Sequence, residues 1–430
     1  MRSILGGSRQ PVAVLALCLA MLALVACGRD DGGSGGGGDG GDLATAPGFD
    51  GKRFKLGLIT VTSGPVAGAN APSLSGIQTY VKALNERGGI AGKYPVDLVL
   101  RDMQYDPAKT VQAYNATKND VAMYAQVFGT PMTKAILPQL RADKIIAVPG
   151  SADGSFFQDP NVMLPSSPYE TQMANVVDYA MKKRGRGKVC GAGGEGALAE
   201  TVKNGLEYLR EEAGYETGPT VSLPTSSSNL TPQVQQLRRE GCKIIWMIAT
   251  PVPTISNTLS AAARLDYDAT WTSTNTGFVA AMKDSPVFDY MKEHYLQAND
   301  GTLYGDTDNA PGMQALMDAH QKFAKDTLPE WAWMNGWVGM MMIEQVLEKA
   351  VEMGDVSREG IMKASDSITE FDLGGIQFSP KWGPAGEREV PAKFGVMAPD
   401  DTSETGVSVV EYGLDASPAA REFPYPTPEK

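Results

Sequence analysis

The sequence predicts an α/β fold made of two doubly wound parallel-sheet lobes. Short apolar strand runs alternate with amphipathic helices, the alternation comes in two successive series, and no low-complexity linker divides them. With 430 residues, 42 % of them apolar and 8 % aromatic, the chain is long enough for about two or three domains without help from metals or cross-links.

The first series opens with Phe54 to Thr60 (FKLGLIT), a buried-strand run. A helix follows in which Leu74, Ile77, Val81 and Leu84 recur three or four apart, and it stops at Gly88-Gly89. Strand Val96–Leu100 leads to Asp106-Pro107, a helix cap followed by proline at the first helical position. Strand Val121–Val127, a helix from about Thr133 to Asp143, and strand Ile145–Val148 complete the unit. Strands separated by helices pair in parallel through right-handed crossovers. The second series runs from a helix at Thr171–Lys183 through strand Lys188–Cys190, helix Leu198–Glu212 and strand Thr220–Leu223. Helix Gln233–Glu240, strand Ile244–Ala249, helix Ile255–Leu265 and strand Ala269–Ser273 continue it. Beyond about Asp300 come helices at Pro311–Lys325 and Trp333–Met353 and a short extended segment, Gly375–Ser379. Without a linker, the chain is expected to cross between lobes over a shared cleft, with ligand at the carboxyl ends of the strands.

Arg2 and Arg9 precede an unbroken apolar run from Val12 to Ala26, too short to span a bilayer and suited to the apolar region of an export signal. The run ends Leu24-Val25-Ala26-Cys27, which resembles a bacterial lipobox, so Cys27 is expected to carry a lipid anchor. Gly28 to Asp42 holds nine Gly and four Asp in fifteen positions, a composition that behaves as flexible tether. The expected location is outside the cytoplasm, lipid-anchored to the bacterial membrane. Cleavage after Ala26 removes two arginines and takes the formal charge from −12 to −14. An acidic chain of pI near 4.8 is unsuited to nucleic acid and fits small-molecule or protein partners. Cys190 and Cys242 are either a disulfide or two free thiols; their place in parallel strands favours thiols, and the count alone does not decide.

Chemical motifs are mostly missing. Two histidines, His294 and His320, give metal sites and Ser-His-Asp triads almost nothing to work with. Gly32-Gly33-Ser34-Gly35-Gly36 matches a nucleophile elbow only formally, because it lies in the tether. Gly191 to Gly196 (GAGGEG) matches G-x-G-x-x-G between a strand and a helix, but Ser222-Leu223-Pro224 ends the next strand without the acidic residue a nucleotide site needs. A strand-to-helix turn is the plainer reading. What the strand ends do offer is hydroxyls: Thr60, Thr62 and Ser63 before Gly64, Gly129-Thr130-Pro131-Met132-Thr133, and Gly150-Ser151-Ala152-Asp153. Such groups, with backbone N–H, can cap helices or replace the hydration of a carboxylate.

GLITVTSGPVAG, LNERGGIAGKYPVDLVLRDMQYDPAKT and FGTPMTKAILPQLRADKIIAVPGSAD, with GLEYLREEAGYE and LGGIQFSPKWGP further on, resemble the leucine/isoleucine/valine-binding family, the type I periplasmic binding proteins of ABC importers. The resemblance covers about Phe54 to Gly395. It implies two lobes joined by three crossovers, a ligand closed between them, no catalysis, no cofactor and no metal. The division it implies is a signal peptide at 1–26, lipidated cysteine and tether at 27–52, lobe 1 at 53–168 and 303–372, lobe 2 at 169–302 and 373–398, and a tail at 399–430.

Carried over position by position, the resemblance puts ligand hydroxyls at Thr130 and near Ser151 or Ala152, with Thr62, Ser63 and Pro131 beside them. The carboxylate that would pair with an α-ammonium group should fall in Ser273-Thr274-Asn275-Thr276-Gly277, which has none. Aromatic contacts of relatives fall at Ala69 and Gly194, both small here, while Trp331 and Trp333 lie near a pocket-lining position. Trp246 and Trp271 sit in strands leading toward the cleft, with core packing their plainer role. The expected function is a substrate-binding lipoprotein of an ABC importer, acting as a monomer on a membrane permease. Its ligand is a small carboxylate, aromatic or alicyclic rather than an α-amino acid. The alternative is a lipoprotein that presents its ligand to a signalling receptor; a hydrolase using Asp102, Asp106 or Glu195 fits poorly because nothing places a second base beside them.

Overall fold

The computed structural model describes residues 43–64, 66–249 and 252–428. The export signal, Cys27 and most of the Gly/Asp tether lie outside the described residues. Residues 46–50, assigned to the tether, pack on the body: Phe49 is buried against the rings of Phe54 and Tyr94, and Lys55 N–H donates to the Gly48 carbonyl.

Strand β1 (Phe54–Thr60), helix α1 (Ala67–Glu86), β2 (Val96–Asp102), α2 (Pro107–Thr117), β3 (Met123–Val127), α3 (Thr130–Asp143) and β4 (Ala147–Pro149) form the first α/β unit. Its four strands lie in the order β2-β1-β3-β4, all parallel. As the sequence predicts, Asp106 caps α2, accepting from Ala108 and Lys109 N–H at 2.7 and 3.0 Å. Helix α3 begins at Thr130, three residues earlier than its apolar spacing suggests, because proline at position 131 fits a first turn.

The second unit holds α4 (Tyr169–Lys183), β5 (Lys188–Gly194), α5 (Ala197–Glu211), β6 (Thr217–Leu223), α6 (Thr231–Arg239), β7 (Cys242–Ile248), α7 (Val252–Arg264), β8 (Thr270–Ser273), α8 (Phe288–His294) and β9 (Tyr295–Asn299). The chain then supplies α9 (Met313–Phe323), α10 (Trp331–Glu352) and α11 (Arg358–Ser367) before β10 (Lys393–Pro399), β11 (Val407–Asp415) and α12 (Pro418–Arg421). The second sheet has seven strands in the order β11-β10-β9-β8-β7-β5-β6, with β10 antiparallel to both its neighbours. Residues after 399, set apart in the sequence as a tail, thus add the edge strand, and Tyr425 packs on Phe157. Segment Gly375–Ser379 forms a single bridge, Gly301 to Gln377, rather than a strand. Leu373, Ile376 and Trp382 are buried in the core of the first sheet, so the chain returns to the second sheet at Lys393 and not at 373.

Two features of packing stand out. Helices α1 and α10 cross where each has a glycine facing the other: a Cβ at Gly76 would lie 2.0 Å from the Trp333 carbonyl oxygen, and one at Gly336 2.2 Å from that of Ser73. The backbones touch there because neither residue has a side chain. In the second unit Cys190 and Cys242 are joined as a disulfide with Cα atoms 5.8 Å apart. This corrects the expectation of free thiols: the strands β5 and β7 are neighbours, and Cys242 opens β7 opposite Lys188, two residues before Cys190, within the reach of a disulfide.

The G-x-G-x-x-G segment is also resolved by packing. Strand β5 continues to Gly194, so the first glycines are strand residues and not a turn. Cβ atoms at Gly191 and Gly193 would meet Val202 and Ala199 of α5 at 2.4 and 2.8 Å, which makes these glycines seats for a helix.

Candidate ligand-binding cleft

The carboxyl ends of β1, β3 and β4 in one sheet and of β5, β7 and β8 in the other lead into loops that share a cavity of about 300 Å³. Its polar wall comes from the first sheet. Gly129, with φ of 100°, turns the chain so that α3 starts at the cavity without any side chain capping its first turn. The N–H groups of such a turn have no partner inside the helix and carry the positive end of its dipole. Thr130 and Ser151 line the cavity and their hydroxyls hydrogen-bond each other. Tyr169, the first residue of α4, closes this corner, and burial pushes its hydroxyl up to about 12, so it stays a neutral donor. No lysine or arginine lines the cavity among the described residues. A carboxylate held here would be met by hydroxyl and N–H dipoles alone, the hydrogen bonds that ionised acceptors strengthen.

The facing wall is mainly apolar, with Thr225 and Thr276 as its hydroxyls. Leu198, Ala249, Val252, Ile255 and Phe278 come from the second unit, and Trp331, Tyr105 and Phe128 close the sides. Among the described residues one carboxylate lines the cavity, Glu195, which accepts from Thr225 N–H at 3.3 Å and from its hydroxyl at 3.1 Å.

Of the positions singled out in the sequence, Ala69, Thr130, Pro131, Ser151, Ala152, Thr276 and Trp331 line the cavity. Six do not. Thr62 N–H and the Ser63 hydroxyl are spent on Asp102, at 3.1 and 2.6 Å. Gly194 is buried in β5 behind Leu198. Thr274 faces Thr276, hydroxyl to hydroxyl at 2.9 Å. Asn275 turns away to donate to Asp300. Trp333 is fully buried, its indole N–H on Ser75 at 3.2 Å and its ring against His320, because α10 places it one half-turn from Trp331 on the core side. Trp246 and Trp271 are likewise fully buried. Tyr105, Phe128, Tyr169 and Phe278 were not legible as site residues, since each lies in a separate loop or element boundary and only the fold gathers them.

Behind the cleft the crossovers meet around a buried acid. Asp300 accepts from Ser167 N–H at 3.2 Å and from Asn275, and burial pushes its carboxyl up to about 7. Gln172 accepts from Asn275 N–H at 2.8 Å and donates to the Ser167 carbonyl at 2.6 Å. Gln377 donates to Pro165, and Phe378 N–H donates to the Asp300 carbonyl at 2.8 Å. One hydrogen-bonded knot therefore joins segments 165–167 and 299–302, where the chain passes between sheets, to segment 376–378 beside them. Asp300 is the carboxylate nearest in bonding to the 273–277 loop, yet it lies outside the cavity lining.

The sequence matches the periplasmic binding protein family over residues 53–390, and the chain belongs to that family, of the type I architecture. A Leu/Ile/Val-binding protein homologue of Brucella abortus is 24 % identical over 204 residues. That match takes in 46 % of this chain and 52 % of the relative, so the chain spans about half the length of the curated relatives it matches. Among solved structures, a fatty acid ABC transporter substrate-binding protein from Thermomonospora curvata superposes with a TM-score of 0.79 at 24 % identity, covering 89 % of this chain and 97 % of that one. A branched-chain amino acid ABC transporter protein from Thermus thermophilus with bound valine gives 0.72 at 16 % identity, covering 86 % and 99 %. A solute-binding protein of R. palustris in complex with 4-hydroxybenzoate gives 0.69 at 18 %, covering 84 % and 97 %.

Proposed function

We propose that this protein is the extracytoplasmic substrate-binding lipoprotein of an ABC importer, and that it captures a small apolar monocarboxylate and delivers it to a membrane permease without chemical change. The observation that carries the reading is the division of the cleft: hydroxyls and the start of α3 on one wall, apolar side chains on the other, and no carboxylate in the 273–277 loop to pair with an α-ammonium group. A desolvated ammonium without a counter-ion is costly, which disfavours an α-amino acid at that position. The structural neighbours bind, by their names, a fatty acid, valine and 4-hydroxybenzoate, so this architecture hosts both amino acids and apolar carboxylates. Aromatic and alicyclic carboxylates are the first candidates here.

The lobe built on the first sheet receives the carboxylate at Thr130 and Ser151. Closure about the knot at Asp300 then brings Glu195, Thr276 and Phe278 over the ligand, a shift in population toward the closed form. The buried disulfide suits an oxidising compartment, in keeping with export. Anchoring at Cys27 is tested by Cys27→Ser, which should release the protein from the membrane fraction.

The chain without residues 1–26, unfolded and refolded to strip carried-over ligand, is the material for a thermal-shift screen. Benzoate-type and cyclohexane carboxylates at about a hundred times Kd should raise Tm by about 3 °C. A shift with branched-chain amino acids and none with carboxylates lacking an amino group would overturn the reading.

A further inference from the structure

A second cavity of about 160 Å³ adjoins the first, and Phe278 and Trp331 line both. These two rings are therefore the partition between a head compartment at Thr130 and Ser151 and a distal one. They come from opposite sides of the cleft, Phe278 from the loop after β8 and Trp331 from the first residue of α10. The distal compartment is floored by Leu303, Met397 and Val407, of which Met397 and Val407 are buried. Two carboxylates line it, Glu330 and Glu404. Glu330 accepts from Ala280 N–H at 2.7 Å, which ties the start of α10 to the loop that carries Phe278.

A cavity of about 150 Å³ lined by apolar side chains holds a benzene ring. The head compartment has twice that volume and the distal one about as much, so a single-ring carboxylate leaves most of the available space empty. Filling both compartments takes a ligand that is long and thin enough to pass two aromatic rings. The two acids lining this compartment add a sign: a ligand end carrying negative charge would be repelled there, whereas an uncharged methyl end would not.

We infer that the distal compartment is a tail subsite, and that the ligand is an elongated monocarboxylate whose uncharged chain passes between Phe278 and Trp331. This rests on the proposed capture of a carboxylate at Thr130 and Ser151 and specifies its substrate class.

The test is calorimetric titration of the full mature chain, stripped of ligand, with straight-chain carboxylates from hexanoate to dodecanoate. Burial of each added methylene should strengthen binding by up to about fourfold, so that dodecanoate binds at least a hundredfold tighter than hexanoate. Dodecanedioate should bind at least tenfold more weakly than dodecanoate. Val407→Trp fills the distal compartment and should remove the chain-length gain while leaving hexanoate affinity within about twofold; Thr405→Trp, at a half-buried residue that also lines the compartment, repeats the test where folding is less at stake. Equal affinity for all chain lengths, or equal weakening of hexanoate and dodecanoate by both tryptophan variants, overturns the tail subsite alone. Absence of binding by hexanoate, dodecanoate and the ring carboxylates together overturns the carboxylate reading beneath it.

Discussion

The two halves of this molecule are secured by different means. Among the described residues the first sheet has four parallel strands, and its helices α1 and α10 are locked at a crossing where Gly76 and Gly336 let backbone meet backbone. The second sheet has seven strands, a covalent bridge between β5 and β7, and an antiparallel hairpin along one edge. The cleft walls differ in the same way: hydroxyls and a helix start on the first half, apolar side chains on the second. The contrast teaches that the half carrying the hydroxyl wall is held by helix packing, while the half carrying the more apolar wall is held by a cross-link.

Removing the bridge should have the largest effect. The disulfide closes a loop across a sequence separation of 52 residues, for which chain entropy gives about 4 kcal/mol. Cys190→Ser with Cys242→Ser should lower protection against hydrogen exchange in β5, β6 and β7, with the first sheet changed much less. If protection falls equally in both sheets, the two halves unfold as one unit and the comparison fails.

Gly76→Ala is the corresponding strike on the first half. The new methyl carbon would stand 2.0 Å from the Trp333 carbonyl oxygen and near Trp337 N, backbone atoms that cannot swing aside. Overpacking of this kind costs about 3 kcal/mol, well beyond the ~1 kcal/mol that alanine gains over glycine in a helix. Exchange protection should fall in α1 and α10 and persist in β5 to β7. A variant as stable as the parent would mean that the crossing opens without cost.

These predictions also mark what the sequence could reveal. The strand runs FKLGLIT and IIWMIA were legible because burial on both faces leaves a mostly apolar string, and the cap at Asp106 because its chemistry is local. Strand β9 (YLQAN) ends in polar residues, used in the crossover knot and its surroundings, and β11 alternates half-buried positions on a sheet edge, so neither had a periodic signature. The hydroxyl wall was legible, since Thr130 and Ser151 follow strands directly. The aromatic walls were not, because Tyr105, Phe128, Tyr169 and Phe278 become neighbours only through topology. Trp331 and Trp333 show the limit within one helix: two residues apart, one lines the cleft and the other is buried at 0 % exposure.

Thr130→Val sharpens the difference between the walls. Valine keeps the shape and removes the hydroxyl, so a carboxylate ligand loses one hydrogen bond to an ionised acceptor, worth about 2 kcal/mol. Affinity should drop roughly thirtyfold by calorimetry, with Tm of the ligand-free protein nearly unchanged. Ile255→Ala on the facing wall should cost less, about fivefold, because only part of its surface meets the ligand. Equal losses at both positions would mean that the walls do not divide the ligand into a polar and an apolar end.

A pH-dependent effect is expected where the halves meet. Glu170, in the first turn of α4, is buried with one carboxyl oxygen lacking a partner, and burial together with the nearby Asp153 pushes it up to about 8. Lys134 pairs with Asp153 at 3.0 Å and offsets part of that push, while Tyr425 covers the site from the C-terminal segment. In the unfolded chain the same carboxyl releases its proton near pH 4.3. Between about pH 4.5 and 8 the native state therefore binds more protons than the unfolded state, and stability falls as pH rises through that window before levelling above it. Asp300, pushed up to about 7, adds a slope of the same sign over the lower part of the window. Glu170→Gln keeps the shape without the titration. Melting curves at pH 5, 6, 7 and 8.5 should then show a shallower decline for the variant, with the gap in its favour widest at pH 8.5 and nearly closed at pH 5. Parallel curves would place the Glu170 titration in the ordinary range and leave Asp300 as the source of any decline, so the pH response would belong to the crossover knot alone.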